Sequence, residues 1–216
     1  MDLIREYEQR GLMAEVKYNM SFTAGSLFFL ESQEIAEIYF DYKSWKVVKE
    51  KVLSDNLIQS RTKASLKRFN REIIQRLEFL NEAQLALLIS GTSQEKKYVL
   101  WYALCQKHEF VKEFAIEVLR EKFLLLNFKV TYRDFDIFFN KKAEWHEELD
   151  QLTTSTRNKL RQVLFRIMRE ADILLPDDSI NTIHLTPCFL ESFNSPQFKD
   201  FLIFPLADQE IKRLCQ

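Results

Sequence analysis

A chain of 216 residues with 46% hydrophobic and 29% charged residues has the composition of an ordinary soluble globular protein, one large domain or two small ones. With 31 Lys and Arg against 32 Asp and Glu, net charge predicts no polyanion partner, so a nucleic-acid surface would have to come from local segregation of charge. Three glycines and four prolines disfavour a turn-rich β fold, and three distant cysteines exclude a disulfide framework.

Cys105, Cys188 and Cys215 read as free thiols in a reducing compartment. The first residues lack a signal peptide's apolar core, and no apolar run approaches the ~20 residues that cross a bilayer. The expectation is a cytoplasmic protein with no membrane partner.

Residues 1–20 are mixed and charged and read as a short helix or arm. Residues 21–26 are a capped entry, with Ser26 as cap, into a helix from 27 to about 41 with Leu27, Leu30 and Ile38 on its core face. Ser44 caps a second helix, with Trp45, Val48 and Val52 inward. A third spans 62–80. Asn81-x-x-Gln84 starts a fourth that Gly91 ends, and Thr92-x-x-Glu95 opens a fifth carrying Tyr98, Trp101, Tyr102 and Cys105. The break at 91–93 divides the chain into an N-terminal helical subdomain, 1–91, and a C-terminal one, 92–216. The second holds a central helix at 110–126 and a helix capped by Thr131-x-x-Asp134 with Phe135, Phe138 and Phe139 inward. Helix 155–171 follows, and a last helix is expected at 208–214. The Phe-rich tail between them reads as packed.

Helix 155–171 and its sequel carry the strongest functional signal. Leu160, Val163, Leu164, Ile167 and Ala171 share one face; Arg157, Arg161 and Arg169 lie around its margin and far side; Asn158, Gln162 and Arg166 lie opposite. From 151 to 169 there are five basic residues and no acidic one. A strand at 173–175, a turn at 176–179 and a returning strand at 182–185 complete the α-α-α-β-β order of a winged helix. The third helix repeats the theme. Lys63, Lys67 and Arg71, at i, i+4 and i+8, line one side, with Arg61 and Arg68 further round, and Glu72 is the only acid between 56 and 77. Charge runs are more often solvated faces than ligand sites, but a salt-bridged surface would intersperse acids here. The fold class is therefore mainly α, with helix-turn-helix-like parts and a winged C-terminal half.

Catalytic chemistry is not legible. His108, His146 and His184 are isolated from one another and read as structural; His184 and Cys188 flank Pro187. Asp177 with Glu210 and Lys212 loosely mimics a metal-dependent nuclease, but the acids sit in a turn and a helix rather than on adjacent strands. No phosphate loop, nucleophile elbow or zinc spacing occurs, so no enzyme, metal or cofactor is expected. The aromatics keep core spacing except Phe165, which the wheel places between Arg161 and Arg169, as a contact to the wing or an exposed partner surface.

Three blocks, YNMSFTAGSLFFLESQEIAEIY, VLREKFLLLNFKVTYRDFDIFFNKKAEWHEEL and TSTRNKLRQVLFRIMREADIL, together resemble the BrxA family, accessory proteins of BREX (bacteriophage exclusion) defence systems. The resemblance spans roughly residues 21–175 and rests on the order and spacing of the blocks. It implies a helical, cytoplasmic, non-enzymatic protein with helix-turn-helix-like parts that binds double-stranded DNA. It also implies action beside the BREX methyltransferase, phosphatase-like and ATPase components. Members have been likened to NusB-type RNA-binding factors. No family signature assigns contact residues, so the candidates remain those of the two basic helices. Three readings stay open: a DNA-binding module, an adaptor whose basic helices dock on acidic partners, and an RNA-binding protein.

Overall fold

The structure, a computed structural model, describes residues 17–215. The reading of residues 1–16 as part of an arm lies outside the described residues. A 3-10 turn, Ser21–Ala24, precedes α1 (Phe29–Tyr42), α2 (Trp45–Ser54), α3 (Lys63–Leu77), α4 (Glu82–Ser90) and α5 (Ser93–Lys107). The next helix, α6, starts as Glu109–Phe114, widens into a π-helical stretch at Ala115–Arg120 and ends as Glu121–Leu124. Then come α7 (Tyr132–Ala143), the single turn α8 (Glu147–Asp150), α9 (Thr154–Glu170), α10 (Pro187–Glu191) and α11 (Asp208–Leu214).

Side-chain caps set most of these starts. Asn81, Thr92 and Thr131 each form a full capping box with the residue three positions on. Thr62 and Thr153 accept from the backbone N–H of Ser65 and Thr156, which fixes the first turns of both basic helices. Ser44 occupies its cap position without a side-chain bond.

The first helix corrects the expectation. It begins at Phe29, because Phe28 takes a left-handed conformation (φ 58°) and the Ser26 hydroxyl accepts from the Phe28 N–H. Gly25 lies so close to the Phe28 ring that a Cβ there would fall 2.0 Å from it. This turn seats Phe28 in the core beside Phe69 and Arg76, and it carries Leu30 out to 68% exposure.

The hairpin is the second correction. Among the described residues no strand forms, only two isolated antiparallel bridges, Leu174–Ile180 and Lys129–Ser179. Pro176 has no N–H to give a ladder, and Asp178 turns the chain with φ 66°. After the Asn181 N–H bonds the Ile173 carbonyl, the chain leaves the pairing. Ile183 enters the core and the His184 backbone bonds the Tyr98 hydroxyl. One buried cluster extends from Tyr18 to Ile211, and it takes in the tail through Phe189, Phe201 and Phe204. The Trp101 indole donates to the Ile203 carbonyl at 3.1 Å, tying α5 to that tail.

Candidate nucleic-acid interface

The Thr153 cap and the core face of α9 orient its remaining sides, and they do so differently from the wheel reading. Arg157 and Arg161 are half-buried and held by partners within the fold. Arg157 donates to Asn140 (2.7 Å) and to Asp136, and lies 4.6 Å over the Phe139 ring. Arg161 donates to Asp136 at 2.6 Å and to Asn158 at 3.1 Å, and lies 4.6 Å over Tyr132. This edge is the seam between α7 and α9. Phe165 belongs to it as well, fully buried and edge-on to Tyr132. Arg169 is paired with Asp178 across the turn at 176–179. Arg166 is exposed, but its guanidinium donates to the Gly25 carbonyl and pairs loosely with Glu170. The stripe left to solvent is Ser155, Lys159, Gln162 and Arg166, at i, i+4, i+7 and i+11. Lys159 has no ion pair among the described residues and was not among the candidates. Its signal was in the sequence, as the residue furthest from Arg161 on the polar side.

α3 behaves in the opposite way. Arg61, Lys63, Lys67 and Arg71 are exposed and make no ion pair among the described residues. Arg68 is exposed too and lies 5.5 Å from the Phe69 ring. The only acid of this helix is not on the basic surface at all. Glu72 is buried, accepting from Arg76 Nε (2.9 Å), Lys107 Nζ (2.5 Å), His108 Nε2 (2.7 Å) and the Ser21 hydroxyl (3.0 Å). Burial works against its ionisation. The bond from His108, the charge of Arg76 and the bond from Lys107 outweigh that and hold the carboxyl far below its ordinary value. His108 has its other nitrogen 3.0 Å from the Asn19 carbonyl, so both ring positions are taken by the fold.

The two basic helices are joined through residues 21–27. Ser21 bonds Glu72 of α3, and the Ser26 carbonyl accepts from Arg76 at 2.9 Å. The Gly25 carbonyl and the Leu27 N–H meet Arg166 and Glu170 of α9. No group of His, Cys, Asp and Glu able to hold a metal occurs among the described residues, and Cys105 is buried. His146 stacks on Tyr18 with centroids 4.0 Å apart. Asp177 bonds Ser179 and pairs with Lys129, whereas Glu210 lies on α11. No helix of the described residues is long and apolar enough to cross a membrane.

These features define a mainly helical protein with charged helix surfaces among its described residues. The chain belongs to the BrxA family, whose sequence profile matches residues 16–195. It is similar to the BREX protein BrxA of Bacillus cereus (strain H3081.97), 29% identical over 164 residues, covering 76% of this chain and 82% of that protein. The BREX protein BrxA of Escherichia coli O9:H4 (strain HS) is 26% identical over 150 residues, 68% and 69% of the two chains. The crystal structure of an uncharacterized protein from Magnetospirillum magneticum shares the fold, with a TM-score of 0.73 at 16% identity over 92% of this chain and 97% of that one.

Proposed function

We propose that this chain is a non-enzymatic, cytoplasmic component of a BREX phage-defence system that binds double-stranded DNA through its phosphates and works beside other BREX proteins. The observation that carries the reading is the state of α3. Its exposed side offers Lys63, Lys67 and Arg71, with Arg61 just before the cap, without intramolecular ion pairs among the described residues, and its one acid is turned into the core. Cations left unpaired in the fold are the ones free to exchange counterions for phosphates.

In this reading the halves 1–91 and 92–216 each supply one basic helix. The C-terminal half is a winged helix with its strands reduced to single bridges. The order α6, 128–130, α7, α9, 173–175, 178–181 supports it, as do the Ile180 N–H on the Phe128 carbonyl and the Val130 N–H on the Asp178 carbonyl. Contacts from α9 then come from Ser155, Lys159, Gln162 and Arg166 rather than from Arg157 and Arg161.

The test is duplex binding by fluorescence anisotropy at several salt concentrations. Replacing Lys63, Lys67 and Arg71 with Glu should leave the melting curve of the protein unchanged and weaken binding. The slope of log affinity against log salt should shrink by about 0.9 for each phosphate that is no longer neutralised. Duplex affinity equal to the parent's would defeat the reading in favour of the adaptor, and preferential competition by RNA would favour the NusB-like alternative.

A further inference from the structure

The outer ridge of α3 does not stop with its cations. Lys63, Lys67 and Arg71 are followed by Gln75 and, just past the helix, by Phe79, each four residues from the last. The end of this ridge is a fixed turn. The Glu78 N–H bonds the Ile74 carbonyl at 2.8 Å and the Phe79 N–H bonds the Arg76 carbonyl at 3.2 Å, between buried Leu77 and Leu80. Phe79 itself stays 53% exposed. With Asn19, Gln75, Glu78 and Lys107 it lines an open concavity of about 390 Å³. Asn19 is held in place, its side-chain oxygen accepting from the Ser21 N–H at 2.9 Å and its carbonyl lying against His108.

The chemistry changes along the ridge. Both charged groups of the concavity are neutralised inside the fold, Glu78 by Lys49 at 2.9 Å and Lys107 by Glu72 at 2.5 Å. The Gln75 side chain has no hydrogen-bond partner among the described residues, so its amide offers a donor and an acceptor there. At helical rise, Phe79 lies about 12 Å beyond Arg71. The ridge thus passes from unpaired cations to an exposed aromatic ring beside an unpartnered amide. Phosphates suit the first part; a flat, neutral ring with donors and acceptors on its edge suits the second. A nucleic-acid strand carries both side by side.

We infer that the concavity at Phe79 takes an unpaired nucleobase, continuing the phosphate contacts of α3 along the same strand. The inference rests on the duplex-binding reading of α3. A paired base has its faces stacked and its edge engaged, so this base comes from a single-stranded end or is turned out of the duplex. The contact tolerates any sequence, because every base has a π face.

Anisotropy of the full chain with three labelled duplexes tests it: one blunt and fully paired, one with short single-stranded overhangs, one with an extra unpaired base at its middle. The parent should bind an unpaired-base duplex about fivefold to a hundredfold more tightly than the blunt one, the worth of one base stacked on an aromatic side chain. Preference for the overhangs identifies a strand end, and preference for the extra base a turned-out one. Phe79→Ala should remove the preference while blunt-duplex affinity, salt slope and melting curve stay like the parent's, and Phe79→Trp should keep it. Lys63→Glu with Lys67→Glu should weaken all three duplexes and leave the preference. Equal affinity of the parent for the three overturns the inference, as does a preference that survives Phe79→Ala. Failure of the duplex reading looks different, because the parent then binds no blunt duplex. A single strand carrying a fluorescent base analogue decides the concavity in that case: an emission change that Phe79→Ala abolishes keeps the base site, and no change removes it.

Discussion

Glu72 gathers four partners around one buried carboxylate. It lies in the most basic stretch of the N-terminal half, where an acid at the surface would screen its neighbours. The fold instead buries it under Arg76, Lys107 and His108, whose side chains are 3%, 5% and 0% exposed. Removing the carboxylate leaves Arg76 and Lys107 buried without their counter-charge, at a cost of about 3–5 kcal/mol. Glu72→Gln should therefore lose about that much in urea unfolding at pH 7. The sign of the pH dependence follows from its depressed folded pKa. The stabilisation is complete above the ordinary glutamate value of 4.5 and drains away as pH falls toward the lower folded value. The gap between parent and variant should thus begin to close below about pH 4.5 and keep narrowing with further acidification. A gap as large at pH 3 as at pH 7 would mean that the carboxyl is not held ionised as described.

At the scale of elements, much was legible because caps and core periodicity are local. Asn81, Thr92 and Thr131 bring their helices in at the expected residues, and α9 buries Leu160, Val163, Leu164 and Ile167 as its spacing requires. Three features were not legible, for physical reasons. The start of α1 depends on the approach of Gly25 to Phe28, a three-residue turn with no pattern. The hairpin read from Ile173 and Ile183 needed pairing beyond Asn181, where core burial of Ile183 won instead. The arginines of α9 were assigned to solvent because a wheel describes one helix alone, whereas Asp136 and Asn140 arrive from α7. Arg157 and Arg161 hold the seam with α7. Arg161→Glu would set a carboxylate against Asp136 and remove the stacking on Tyr132, so it should destabilise the protein by about 1–3 kcal/mol. A thermal melt coincident with the parent's would contradict the seam. Any fall in nucleic-acid binding in that variant has to be separated from this loss of stability, whereas Lys159→Glu changes only an exposed charge.

For the whole molecule, the near-zero net charge conceals a segregation by helix. α1 turns Glu34, Glu37 and Asp41 to solvent, at i, i+3 and i+7, with no ion pair among the described residues, while α3 turns out its basic row. A phosphate backbone is repelled by the first face and attracted by the second, so approach is one-sided. The distance between the two basic helices is bounded by the segment that ties them. From Ser21 on Glu72 to Leu27 on Glu170 there are six steps, which reach at most about 22 Å. That is shorter than one ~34 Å helical turn of DNA, and in the proposed reading the two helices, tied near their C-terminal ends, engage one duplex. The chain should accordingly take up a single duplex when titrated at concentrations where it is monomeric. Adding Lys159→Glu to Lys63→Glu and Lys67→Glu should lower the salt slope by the sum of the separate decrements, about 2.7 if each side chain holds one phosphate. Two independent surfaces would behave otherwise. Each set of changes would leave the other site's affinity intact, and a biotinylated duplex would retain a second, labelled duplex through one protein chain. Such co-capture would place α3 and α9 on separate DNA segments and make the protein a bridge.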